Sequence, residues 1–299
     1  MPSKGGRTSS GPWGRLKPFD QDPLQAMGLP SKGDTKLLNF KTQEKYYTKI
    51  MERYMTFCSD AGERDELIRR FTSLEISGPS PFPTSSSGSS RGSSAAALQS
   101  PDNTRALSDV MMALRKLREG IVASKRADDF AIQAYLFCIR LSVLTKQPES
   151  YHPAILHLLR HIFPIQPLTS IEVQEVVGYL ILDTACRRRE LAEAYSIRHD
   201  FQVKDSKLDA ALDALSHDNY ILFQRTKHDM DRHRAKLMSW ADDDMRLHTL
   251  KCFGRTYLGV DLGFLEMATD TNWKDLTENH GVGWELDGER VVIRKVKAR

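Results

Sequence analysis

The sequence of 299 residues has no run of about 18 apolar residues, the length that a membrane-spanning helix needs. Its first 30 residues lack the apolar core of a secretory signal and the amphipathic, Arg-rich pattern of a transit peptide. It contains four cysteines, which lie far apart and form no C-x-x-C pair. These absences predict a cytoplasmic or nuclear protein with no membrane partner, whose cysteines are small buried hydrophobes: Cys58, Cys138, Cys186 and Cys252.

Motifs that would indicate catalysis or cofactor binding are also missing. Neither H-E-x-x-H nor G-x-x-x-x-G-K-[ST] occurs, and the glycine-containing stretch 259–263 does not follow a predicted strand. Five histidines lie between positions 199 and 248, but His228 and His233 are five residues apart and share no helix face. Cys186 precedes three arginines, and a buried thiol at a helix end is the simpler interpretation. We therefore predict no enzyme activity, cofactor, metal or small-molecule substrate.

Positive charge is concentrated at the beginning of the chain. The formal net charge is +4, and residues 1–41 alone hold seven Lys or Arg against three Asp. Residues 1–40 are poor in aliphatic side chains and interrupted by Pro and Gly, which predicts a disordered basic tail. Such a tail is either a solvated extension or an arm that binds a partner.

Residues 41–75 are predicted to form a helical hairpin. Thr42 can cap its first helix, in which Tyr46, Ile50 and Phe57 recur at helical spacing, and the second helix covers residues 63–71. A Ser/Gly/Pro linker follows at residues 76–102. The linker is long enough for the hairpin to pack on its own chain or on a neighbour.

Residues 103–240 are predicted to form a stack of antiparallel helix pairs, similar to helical repeats but without a fixed period. Residues 130–144 are apolar nearly all round, which is typical of a central helix. Pro153 is placed at a first helical position, and Thr169 with Glu172 is predicted to form a capping box.

Residues 241–299 are predicted to form a winged helix, with one long helix, two shorter ones and a β-hairpin. Asp261 stands at the N-cap position of the first shorter helix, and Thr271 and Asn272 can cap the second. The dipeptide Asp287-Gly288 lies between two β-prone runs and predicts a type I′ turn. The overall expectation is a mainly α chain that ends in a small β-hairpin.

Two stretches resemble the PCI module of the proteasome lid, the COP signalosome and initiation factor three. They are Gly178–Arg187 with Leu191–Tyr195, and Gly283–Leu286 before the hairpin. The similarity covers residues 103–296 and is nearest to the branch shared by lid subunit twelve, the smallest signalosome subunit and subunit k of the initiation factor.

This resemblance implies a non-enzymatic scaffold whose partners are other PCI-type subunits, joined through the strand edges of their winged helices. The residues expected at that edge are Val291, Val292, Ile293, Arg294 and Val296. Trp284 is expected either as a contact residue or as part of the wing core. Arg187, Arg188 and Arg189 either complement the C-terminal dipole of a helix or contact an acidic partner.

Nucleic-acid binding is the competing interpretation, because winged helices often bind DNA. Residues 242–299 contain nine Lys or Arg against eleven Asp or Glu, and neutralised phosphates supply most of the affinity for a duplex. DNA readout is therefore not favoured. The alternative that stays open is an adaptor that binds RNA weakly through the basic tail and the last strand.

Overall fold

The computed structural model describes residues 24–60 and 101–295. The predictions for residues 1–23, for the helix at 63–71, for the linker up to residue 100 and for Val296 fall outside this part. The described chain is mainly helical and carries a small three-stranded antiparallel sheet near its C-terminal end. Among the described residues, no helix combines the length and the apolar character needed to cross a membrane.

The first of two compact units comprises residues 24–60 and 101–126. It contains helices α1 (Phe40–Asp60) and α2 (Pro101–Ala123), preceded by two 3₁₀ turns, Pro30–Lys32 and Lys36–Leu38. Both helices bury a stripe at helical spacing, and the stripes face each other: Tyr46, Ile50 and Phe57 on α1, and Leu107, Val110, Met111, Leu114, Leu117 and Ile121 on α2. Helix α2 was predicted to open the helical stack, but its packing partner is α1.

The tail predicted to be disordered up to residue 40 is folded from residue 24 onward. Leu24 and Leu37 are buried, and the backbone oxygen of Leu24 accepts hydrogen bonds from Tyr46 Oη at 2.9 Å and Lys116 Nζ at 3.1 Å. Gly120 permits this packing, because a Cβ there would lie 2.8 Å from Leu37 Cβ. Two isolated leucines in a polar segment have no periodicity, so the sequence pattern could not reveal them.

The second unit, residues 127–295, begins with helices joined by short turns. They are α3 (Asp129–Leu144), α4 (Pro148–His157), α5 (Ser170–Leu182), α6 (Leu191–Asp200), α7 (Ser206–Ser216), α8 (Tyr220–Asp229) and α9 (Arg232–Met238). Single π-helical turns, Leu158–Ile162 and Asp183–Arg187, continue α4 and α5. Ten residues of α3 are buried, and it packs against α4 and α9, which confirms it as a central helix.

Helix ends test the sequence patterns residue by residue. The capping box is confirmed, because Thr169 N–H donates to Glu172 Oε2 at 2.9 Å and Glu172 N–H donates to Thr169 Oγ1 at 3.3 Å. Pro153 does not open a helix, because α4 begins at Pro148 and Pro153 lies inside it. Helix α1 begins at Phe40, before the predicted cap Thr42.

The last part of the described chain is an α/β segment, residues 242–295, which we call the C-terminal module. It runs α10 (Asp242–Thr256), β1 (Gly259–Asp261), α11 (Leu262–Thr269), α12 (Trp273–Glu278), β2 (Glu285–Asp287) and β3 (Arg290–Val292). Asp261 Oδ1 accepts from Phe264 N–H at 3.1 Å, and Asn272 Oδ1 accepts from Asp275 N–H at 2.9 Å, so both predicted N-caps are confirmed. Strand β1 was not predicted.

Candidate protein-interaction site

The predicted hairpin is present, but its turn is shifted by one residue. Asp287 pairs with Arg290, so the central positions of the turn are Gly288 and Glu289 instead of Asp287 and Gly288. Gly288 has φ of 62°, and neither Asp287 nor Glu289 has a positive φ. A positive φ at the first central position alone is the pattern of a type II′ turn, where glycine is favoured. The type I′ prediction is therefore wrong.

Strand β3 is the centre of the sheet, not its edge. The strand order is β1-β3-β2, with Val291 opposite Val260 on one side and opposite Leu286 on the other. The backbone N–H groups of Ile293 and Arg294 both donate to the carbonyl oxygen of Leu258. The expectation that Val291 and Val292 form an exposed strand edge is therefore wrong, because β1 and β2 cover them from both sides. Ile293 and Arg294 lie beyond β3 and are covered on the β1 side. A role for residues 291–294 in partner contact stays a prediction, and the position of β3 in the sheet does not support it.

The core of the C-terminal module explains why β3 is central. Val291 is fully buried in a cluster with six other apolar residues: Leu250, Phe253, Val260, Leu265, Ala268 and Leu276. Trp284, which directly precedes β2, is half-buried and packs against this cluster. A Cβ built on Gly254 of α10 would lie 3.6 Å from Trp284 Cζ2, so the indole ring covers this helix closely. This position favours the wing-core interpretation of Trp284 over the contact interpretation.

The hydrogen-bonding groups on the outer side of β1 belong to Gly259 and Asp261. Leu258 accepts from Ile293 at 2.9 Å, and Leu262 N–H donates to Glu289 at 2.8 Å, so both residues face β3. Inward-facing and outward-facing residues alternate along an antiparallel pair. The N–H and C=O groups of Gly259 and the N–H of Asp261 therefore point away from β3. The C=O of Asp261 is engaged, because Asp261 is the N-cap of α11 and this oxygen accepts the first bond of that helix. Within the part of the chain that the structure describes, β1 pairs only with β3.

Large apolar side chains flank this outward edge. Leu258 is 53% exposed, Tyr257 is 43% exposed and Phe264 is 39% exposed. The rings of Tyr257 and Phe264 lie 5.2 and 5.8 Å from the ring of the buried Phe253, so both border the same point of the core. We call strand β1 together with Tyr257, Leu258 and Phe264 the β1 edge surface. It combines unpaired backbone groups with exposed apolar area, as a strand-binding site does.

The opposite edge, strand β2, has a different chemical character. All three of its residues are exposed, and the apolar Leu286 stands between Glu285 and Asp287. Lys295 Nζ lies 2.6 Å from Glu285 Oε2, so one of these carboxylates is paired within the chain. Charged residues on an edge strand discourage the addition of another strand. The β1 edge surface is therefore the better docking edge of the two.

The three arginines that follow Cys186 are engaged inside the chain. Arg187 binds Asp183 through two hydrogen bonds, Arg188 contacts Glu190 and Glu193, and Arg189 lies 2.5 Å from Asp244. An acidic partner would have to compete with these carboxylates. Contact of Arg187, Arg188 and Arg189 with such a partner stays a prediction, and these pairs do not support it.

A buried polar network around Asp183 was missed by the sequence analysis. Asp183 is fully buried, and its carboxylate accepts from Tyr151 Oη at 2.6 Å and from Arg187 Nε at 2.6 Å. His152 Nδ1 lies 3.2 Å from the second carboxylate oxygen. Burial, followed by the charge of Asp183, raises the pKa of Tyr151, and the hydrogen bond to Asp183 raises the pKa of Arg187.

These partners satisfy the Asp183 carboxylate completely, so the network joins α4 to the π-helical turn and has no open position for a substrate. The signal in the sequence was a single acidic residue inside the apolar run 178–186.

The thiols differ from the sequence-based expectation in two places. Cys138 and Cys186 are buried as predicted, whereas Cys58 and Cys252 are half-buried. Burial raises the pKa of the Cys186 thiol, which disfavours the thiolate that a nucleophile needs. Across residues 24–60 and 101–295, no group of three or more His, Cys, Asp or Glu side chains is placed to hold a metal ion.

The face that would read DNA in a winged helix carries little positive charge. Helix α12 offers Lys274, whose Nζ lies 4.0 Å from Glu278 Oε1 on the same helix, and Asp275 stands next to it. These carboxylates oppose a phosphate backbone. The charge of this face therefore does not favour DNA readout. A scan of protein-family models finds none that matches the chain, and a search of curated proteins finds no relative.

Proposed function

We propose that this protein is a non-enzymatic scaffold or interaction subunit of the PCI type, which binds a partner subunit through the β1 edge surface. The C-terminal module runs helix, strand, helix, helix, strand, strand, the order of a winged helix. The helices α3 to α9 before it are joined by short turns, which supports the helical stack of this proposal. One observation carries the proposal: β1 has an unpaired side flanked by Tyr257, Leu258 and Phe264.

An added strand would gain main-chain hydrogen bonds from both backbone groups of Gly259 and from the N–H of Asp261, and it would cover the neighbouring apolar side chains. Main-chain bonding provides affinity in this mode, and the side chains beside the edge provide specificity. Such an interface depends weakly on salt, since few ion pairs form. RNA held by the basic tail would instead dissociate steeply as salt rises.

A matched pair of variants tests this proposal. The tagged chain is purified with its bound partner from its source, beside Leu258→Lys and Leu286→Lys. Both leucines are exposed, at 53% and 43%, and each lies at one edge of the same sheet. We expect Leu258→Lys to lose the partner, because a lysine opposes strand addition, and Leu286→Lys to retain it.

Retention of the partner by Leu258→Lys would contradict the proposal. Release of the partner by nuclease, or by deletion of residues 1–23, would support the RNA adaptor instead.

A further inference from the structure

A cysteine and a histidine on α10 and a carboxylate from another segment lie next to one another. Cys252 Sγ lies 3.3 Å from His248 Nε2, one helical turn earlier. The other ring nitrogen, His248 Nδ1, lies 3.9 Å from Asp218 Oδ2, in the turn between α7 and α8. Three side chains from two separate segments therefore lie in a row, with the imidazole between the thiol and the carboxylate.

The carboxylate determines which ring nitrogen of His248 accepts a proton. A negative charge near Nδ1 favours the tautomer that carries its proton there, which leaves Nε2 free to accept from the thiol. At 3.9 Å the carboxylate is too distant for a direct hydrogen bond and acts through its charge. Because Asp218 is 60% exposed, solvent screens much of that charge, and its effect should be smaller than that of His248.

The site is accessible to small molecules. Cys252 is half-buried, and 38% of the His248 side chain is exposed to solvent. By contrast, Cys138 and Cys186 are buried, and burial raises the pKa of Cys58. A thiolate is the reactive form of cysteine, and an adjacent imidazole is the usual group that generates it.

We propose that Cys252 is a covalent modification site, activated by His248, that forms mixed disulfides with small disulfides such as glutathione disulfide. The Cys252 proton moves to His248 Nε2, and the sulfur attacks one sulfur of the small disulfide. The bond between the two sulfurs of the reagent breaks, and its second half leaves as a thiolate that takes the proton from the imidazolium. One small disulfide is consumed and one small thiol is released, so the exchange needs no further oxidant.

The test uses the full chain and follows all four cysteines by peptide mass spectrometry during alkylation with neutral iodoacetamide at pH 7. We expect Cys252 to react first. An ordinary thiol is only a few per cent ionised at this pH, so His248→Gln should slow Cys252 by about tenfold. Asp218→Asn should slow it less. Cys58 is the matched control, half-buried without a histidine partner, and its rate should be the same in all three proteins.

A second arm replaces the alkylating agent with glutathione disulfide. The adduct should appear on the Cys252 peptide before any other, form more slowly in His248→Gln and disappear on reduction. Continued protection of Cys138 and Cys186 shows that a variant is folded, and His248→Asn replaces His248→Gln if it is not. Equal rates for Cys252 and Cys58, or a Cys252 rate unchanged by both histidine substitutions, would overturn the proposal.

Discussion

The Asp183 network and the β1 edge surface both contain polar groups in unusual positions. In the network these groups are hydrogen-bonded within the chain, and at the edge they face outward. Asp183 is fully buried, and Tyr151, His152 and Arg187 surround its carboxylate. The backbone groups of Gly259 and the N–H of Asp261 point outward from the sheet, and the nearby residues Tyr257, Leu258 and Phe264 expose apolar side chains.

The difference separates a region that stabilises the fold from a region that can bind. A satisfied buried network gains nothing from a partner and loses much when one member is removed. An unpaired strand edge contributes little to the stability of the isolated chain but can gain several hydrogen bonds in a complex. Substitutions in the first region should therefore change unfolding, and substitutions in the second should change association.

The largest expected effect on stability is that of Asp183→Asn. The substitution removes the buried charge that Arg187 binds and replaces one acceptor oxygen with an amide NH2 that faces other donors, which should lower the free energy of unfolding by about 3 kcal/mol. Chemical denaturation measures this loss. Asp209→Asn is the control, because its pair with Arg198 is largely exposed and should contribute at most about 1 kcal/mol. Equal losses in the two variants would show that the buried Asp183 network contributes no more to stability than an exposed ion pair.

Trp284→Ala should have a smaller effect. The ring is half-buried against the core of the C-terminal module, so its truncation should cost about 2 kcal/mol, below the range of 3–5 kcal/mol for a fully buried ring. The same denaturation experiment measures it. A loss of less than about 0.5 kcal/mol would show that Trp284 contributes little to the core and would favour a role in partner contact.

The smallest expected effect on stability is that of Leu258→Lys, the variant that should lose the partner. The side chain is more than half exposed, so the free energy of unfolding should change by less than about 0.5 kcal/mol. Thermal unfolding of the isolated chain checks this. A large destabilisation would mean that the loss of the partner reports unfolding, and the comparison of the two regions would lose its basis.

Local patterns in the sequence predicted local structure well. The stripe of α2, the buried helix α3, the capping box at Thr169 and the caps at Asp261 and Asn272 all depend on residues within a few positions of each other. The hairpin was predicted for the same reason, and its turn was wrong by one residue because Asp-Gly and Gly-Glu can each occupy the two central positions.

Features that depend on distant residues were missed. Gly259, Val260 and Asp261 are too few to show the alternation of a strand, and they become one only by pairing with β3, some 30 residues later. The edge of the sheet therefore lies at β1 and not at β3, and a proline in place of Val292 would disrupt the middle of the sheet. The burial of Asp183 depends on Tyr151, 32 residues earlier.

Amide hydrogen exchange tests the central claim most directly, because it reports on the backbone groups themselves. The free chain is compared with its complex with the co-purified partner. We predict that the amides of Gly259 and Asp261 exchange rapidly in the free chain and become protected in the complex, while those of residues 285–287 change little. Protection at 285–287 with no change at Gly259 and Asp261 would contradict the account.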